Sequence, residues 1–133
     1  MPILTNPTSV ATGQTTANGS VTTDTGNGEI YYVVTLSPTA PTQQQVKDGL
    51  NSSGVAAVDA SVSPFLAFPG VVSFTATGLA ASTTYFFHFM HEINVFNRSA
   101  VVTSPSFTTD ASPPIVSRWL RDRSRNAFTR GDL

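Results

Sequence analysis

Three stretches of this sequence alternate their side chains with period two, and each has the length of a β-strand. In residues 29–36, Ile30, Tyr32, Val34 and Leu36 fall on one face, with Tyr31, Val33 and Thr35 on the other. Residues 71–77 set Val72, Phe74 and Ala76 against Val71, Ser73 and Thr75. Residues 85–91 form the most hydrophobic stretch, with Tyr85, Phe87 and Phe89 opposite Phe86, His88 and Met90. A further strand is expected near 19–23, joined to the 29–36 strand by a hairpin over 24–28, where Gly26, Asn27 and Gly28 tolerate positive φ. Residues 10–16 are a weaker strand candidate. Residues 100–109 read as a last strand that Pro105 makes an edge or a bulge.

One segment breaks the pattern. Pro41 suits a helical first turn, Gln43, Gln44, Gln45, Val46 and Lys47 favour a helix, and Gly49 stops it. Residues 51–64 carry no assignable strand, and residues 94–99 read as a turn. Short strands separated by turns, with one small helix, predict an all-β fold, an antiparallel two-sheet sandwich with a C-terminal extension. A five-stranded closed barrel is the competing architecture.

A chain of 133 residues suits one domain and a short appendage. With no cysteine, burial and backbone pairing must hold the fold without disulfides or thiolate metal sites. No apolar run approaches the roughly 20 residues of a membrane helix, so no membrane span is expected. The first ten residues lack Lys and Arg, which disfavours a secretory signal and classical export. Charge divides the chain in two. Residues 1–110 set Lys47 and Arg98 against Asp24, Glu29, Asp48, Asp59, Glu92 and Asp110, a net −4. Residues 111–133 set Arg118, Arg121, Arg123, Arg125 and Arg130 against Asp122 and Asp132, a net +3. Pro113 and Pro114 mark the hinge between a folded domain, 1–110, and a basic arm, 111–133.

Leu79, five intervening residues and Tyr85 opening an alternating strand resemble the turn into the penultimate strand of fibronectin type III and immunoglobulin-like domains. That resemblance implies a structural tyrosine corner, in which the Tyr85 hydroxyl bonds to upstream backbone. It also makes the Tyr32 strand the family's third strand and residues 97–99 its final hairpin turn. The family's core tryptophan has no counterpart, because the sole tryptophan is Trp119 in the arm. The short helix, the Thr/Ser/Ala-rich strands and the 81–85 turn resemble most the fibronectin-type modules of tailed-bacteriophage virion proteins. The resemblance implies a structural virion component assembled in the host cytoplasm, as head decoration or neck or tail accessory. Its expected partners are major capsid, connector or tail subunits, in a multi-copy symmetric assembly.

The ionisable groups are sparse and scattered. On a strand, His88 and His91 point to opposite faces, so they cannot share a metal ion; His88 is expected at a surface or interface and His91 at the polar end of an inner stripe. No nucleophile elbow, phosphate loop or carboxylate pair stands out, except a conceivable Asp24 and Glu29 pair across the hairpin. The inventory argues against an enzyme and calls for no cofactor. Asn51 and Asn97 begin glycosylation-type tripeptides, and residues 130–132 spell Arg-Gly-Asp; turn chemistry and chance account for them. In the arm, Ile115, Val116, Trp119 and Leu120 recur at helical spacing among Arg118, Arg121, Arg123 and Arg125, with Phe128 beyond. Such a segment fits a partner's groove, with arginines at the rim. The acidic body argues against nucleic acid as partner. The alternative is a host-surface glycan module using Tyr31 or Phe86.

Overall fold

The computed structural model of the chain describes residues 1–112. Two antiparallel sheets pack face to face. The first holds β1 (Leu4–Ala11), β2 (Ala17–Thr23) and β5 (Gly70–Ala76) in the order β1-β2-β5. The second runs β4 (Asp59–Val62), β3 (Glu29–Thr35), β6 (Thr84–Asn94), and then a return strand broken into β7 (Asn97–Arg98), β8 (Val102–Thr103) and β9 (Phe107–Thr108). The architecture is the all-β sandwich, and the barrel alternative falls away.

The inward stripes build one core. Tyr32 and Val34 from β3 and Tyr85, Phe87 and Phe89 from β6 meet Val21, Ala17 and Ala76 from the first sheet. The Phe87 and Phe89 rings stack 5.6 Å apart, and Phe107 lies 5.3 Å from Phe87. Each buried large apolar side chain contributes on the order of 2–3 kcal/mol. The sheets approach closely at Gly19, where a Cβ would stand 2.9 Å from the Phe87 ring. Leu36 is not part of this core: β3 ends at Thr35, and Leu36 is 63% exposed.

The opposite face of β3 and β6 is covered as well. The helix α1 (Gln43–Asp48) sets Val46 against Val33 and Met90, with Tyr31, Ala57 and Val101 around them. A capping box starts it, Thr42 accepting from the Gln45 amide while the Gln45 side chain accepts from the Thr42 amide. Gly49, at φ 77°, ends it. Pro41 therefore precedes the cap instead of occupying the first turn.

Residues 24–28 do not form a hairpin. β2 pairs with β1 and β5, whereas β3 pairs with β4 and β6, so this segment carries the chain from one sheet to the other. Turn residues serve both purposes, and only pairing partners distinguish them. The weak candidate over 10–16 shifts likewise: the strand is Leu4–Ala11, and a turn follows, with the Thr12 amide donating to Thr16 O. The unassigned 51–64 region contains β4, an edge strand whose side chains are mostly exposed.

Three buried serines close the ladder where strands break. Ser63, Ser99 and Ser104 each donate their amide to a neighbouring carbonyl, of Ile30, His91 and Phe87 respectively. Each hydroxyl accepts from that same residue's amide, at 3.0, 2.9 and 3.1 Å. Each also donates to the carbonyl of the following residue, Pro64, Ala100 or Pro105. A hydroxyl thus replaces the carbonyl that the departing chain withdraws.

Candidate functional site

The sandwich has two unlike poles. At one, the last described residues enter the fold: the Asp110 amide donates to Gly13 O, the Ser82 amide donates to Asp110 O, and the Thr109 amide donates to Thr83 O. Leu79 is buried in the core there and donates its amide to Thr15 O. The Tyr85 hydroxyl accepts from the Ala80 amide at 2.8 Å, and its ring lies 5.9 Å from Phe107.

The other pole gathers the 24–28 crossover, the 63–69 loop, the turn after β6 and the chain start. The Asn27 amide donates to Leu66 O and the Leu66 amide to Gly28 O, which joins the first two. Asn27 and Gly28 both have positive φ, at 72° and 71°. A Cβ on Gly28 would collide with the Glu92 carbonyl oxygen and stand 2.8 Å from Ile93 Cα, so only glycine lets the crossover lie against β6. The Ile3 amide donates to Asp24 Oδ1 and the Asp24 amide to Ile3 O. His91 ties the pole together: its Nε2–H donates to Asn27 O at 2.6 Å, and Nδ1 pairs with the Thr23 hydroxyl at 2.8 Å.

This second pole is apolar at its surface. Phe65, Phe68 and Phe96 are 62%, 80% and 96% exposed, with Val95 also exposed in the turn that carries Phe96 and Ile3 exposed at the chain start. Leu66, between the two loop phenylalanines, packs on the main core and anchors them. Pro64 and Pro69 bound that loop, and Asn94 Oδ1 accepts the Phe96 amide to fix the turn. Sequence reasoning passed over the exposed phenylalanines; the available signal was large aromatics between prolines in segments with no strand period.

The charge near this pole is negative. Glu92, almost fully buried, takes Lys47 Nζ at 2.9 Å and Arg98 Nε at 2.7 Å. Burial raises its carboxyl pKa, but the hydrogen bonds and charges of Lys47 and Arg98 outweigh that and hold it below the ordinary value. Lys47 and Arg98 are the Lys and Arg residues of 1–112, and both are committed to Glu92. Glu92 balances one of those two cations, so with Asp24 and Glu29 the side chains here sum to a net −1, and the amino terminus stands close to Asp24. The Thr25 hydroxyl and the Ile3 amide lower the Asp24 pKa and keep it ionised. Asp24 thus caps backbone and forms no pair with Glu29, which stands opposite Glu92 in the ladder.

His88 is fully buried, not at a surface. Its Nε2 faces Thr35 Oγ1 and the Ser37 carbonyl, at 2.8 and 3.2 Å, and Nδ1 meets Thr103 Oγ1 at 2.8 Å. Burial lowers its pKa, with partial relief from the Ser37 carbonyl, and neutral imidazole fits this set of partners. His88 and His91 occupy opposite faces of β6, each with both ring nitrogens engaged. Tyr32 donates its hydroxyl to Asp59 Oδ2 at 2.8 Å and to Thr75 O at 3.2 Å, clasping the two sheets. Its pKa is pushed up by burial, by that bond and by the Asp59 charge.

Tyr31 packs beside Val46, and Phe86 is half-buried. A cleft of about 390 Å³, of mixed polar and apolar lining, lies between Thr35, Leu36, Thr39, Asn51, Ala57 and Val58. Asn51 serves its own turn, accepting from the Ser53 and Val55 amides. Among the described residues, no helix is long and apolar enough to cross a membrane. The arm residues Ile115, Val116, Arg118, Trp119, Leu120, Arg121, Arg123, Arg125 and Phe128 lie outside the described residues. The sequence matches no family model and no curated protein at a significant level.

Proposed function

We propose that this chain is a non-enzymatic structural component of a tailed-bacteriophage virion. The sandwich serves as head decoration or as a neck or tail accessory, and the basic arm, 111–133, grips neighbouring capsid, connector or tail subunits. The observation that carries this reading is the separation of the poles. The chain leaves the sandwich at the end formed by 12–16, 77–83 and 109–112, so an arm there holds the body by one end and leaves the aromatic end available. The Tyr85 bond to Ala80 and the order of the strands are compatible with the fibronectin-type resemblance on which this reading rests. The engagement of both histidines in fixed hydrogen bonds supports a structural rather than a catalytic role.

Multiplicity supplies the strength. Burying Trp119 and Leu120 contributes on the order of 4–6 kcal/mol before ordering costs, a modest affinity for one arm. Many copies on a symmetric particle convert it into durable attachment. The test is to produce particles carrying either the full chain or a chain ending at Ser112 and to count copies by quantitative mass spectrometry. Loss of the shortened protein from particles, with its fold intact, is expected; undiminished incorporation overturns the anchoring role.

A further inference from the structure

We propose that the aromatic pole is the receptor for the basic arm of a second copy of this chain, so that copies join head to tail. The inference rests on the reading of 111–133 as a binding arm and makes the neighbouring subunit it grips, within the particle, another copy of this chain. Phe65, Phe68, Phe96 and Val95 present an apolar surface at one pole, held by loops fixed through Leu66, Asn27 and Asn94. Asp24 and Glu29 lie at its edge, and together with Glu92 they outnumber Lys47 and Arg98 by one negative charge. This surface lacks an apolar, cationic partner. The chain carries one in Ile115, Val116, Trp119 and Leu120 interleaved with Arg118 and Arg121. Apolar side chains would cover the phenylalanines, arginines would stack on exposed ring faces, and the rim would pair Arg with Asp24 and Glu29.

Reach selects a second copy over the same chain. Asp110 is fixed at the far pole by Gly13 and Ser82. β6 alone spans Thr84–Asn94, about 34 Å at ~3.4 Å per residue, and Phe96 lies beyond its end. Trp119 and Leu120 follow Asp110 by nine and ten residues, about 30–36 Å even if fully extended. They could touch their own aromatic pole only by running taut along the whole length of the sandwich and past the end of β6. The neighbour in line is within reach. Such a contact joins two different surfaces, so it repeats until the rotation closes a ring or leaves an open string.

Sedimentation velocity on full-length protein tests this with two double variants. Phe68→Ser with Phe96→Ser disables the pole at side chains outside the core, and Trp119→Ala with Leu120→Ala disables the arm; thermal melts check that both fold. Wild-type protein is expected to grow beyond the 14.1 kDa monomer as concentration rises. Each variant alone should associate at least tenfold more weakly, and their equimolar mixture should form a two-chain species and nothing larger. A wild type that stays monomeric up to about 200 μM, pole or arm variants that associate like wild type, or a mixture that remains monomeric would each overturn the proposal. Monomeric protein that still needs 113–133 to enter particles would remove the pole as receptor and leave the anchoring role standing.

Discussion

The phenol oxygen of Tyr85 accepts the amide hydrogen of Ala80 at 2.8 Å, and the ring beneath it is buried against Phe107. One side chain thereby closes the turn that feeds β6 and satisfies a backbone donor at the pole where the chain leaves. Tyr85→Phe keeps the ring and strands the amide, so it should cost about 1–2 kcal/mol. Equilibrium urea unfolding should show a lower midpoint with an unchanged slope; an unaltered midpoint would mean that water satisfies Ala80 equally well.

The serine device at the strand breaks predicts a cost well above that of an ordinary serine deletion. Ser99→Ala and Ser104→Ala each leave a buried amide, of His91 or Phe87, without its acceptor. Each should lose about 1–3 kcal/mol. Hydrogen exchange should show those two amides losing protection first, and protection equal to wild type would contradict the assignment.

Gly28 is held at φ 71° with the Glu92 carbonyl where a Cβ would go. Gly28→Ala combines backbone strain with a main-chain clash and should destabilise by more than about 2 kcal/mol. Gly78 has a similar φ of 73° and open space around it, so Gly78→Ala should cost about 1 kcal/mol, from the backbone conformation alone. Equal melting temperatures for the two variants would show that the crossover relaxes away from β6.

Acid should destabilise the fold in two steps. The folded pKa of His88 lies below its ordinary 6.5, so below that pH the unfolded chain binds the proton more readily. Its stabilisation is complete above about pH 6.5 and is lost as pH falls through the folded pKa. Glu92 has the same sign at lower pH: its folded pKa lies below 4.5, and its contribution disappears as pH falls through that value. His88→Gln should flatten the upper part of a stability profile taken from about pH 8 to pH 3, and Glu92→Gln the lower part. Profiles parallel to wild type would remove these two groups as the cause.

Much of this fold was legible because burial follows period. The inward stripes of β3, β5 and β6, the helix around Val46 and the Tyr85 turn are all written in local side-chain order. What escaped depends on partners distant in sequence. The same Gly26-Asn27-Gly28 run suits a hairpin or a crossover, and the choice lies in whether β2 pairs with β3 or β5. β4 has little burial to pattern it. His88 sits inside because hydroxyls of Thr35 and Thr103 and the Ser37 carbonyl meet it there, a match that alternation cannot register. The aromatic pole escaped for a related reason: Phe65, Phe68 and Phe96 stand out as aromatics outside any strand period, but the pole assembles from segments adjacent only after both sheets have formed.

The central claim is that residues 1–112 complete their own core and leave the basic arm for another molecule. Calorimetric unfolding of a chain ending at Ser112, beside the full chain, tests it most directly. A single cooperative transition within about 2 °C of the full-length midpoint is the predicted result, since 1 kcal/mol moves a domain of this size by several degrees. A lost transition, or a midpoint about 10 °C lower, would show that 113–133 completes the sandwich itself, and the account would fail.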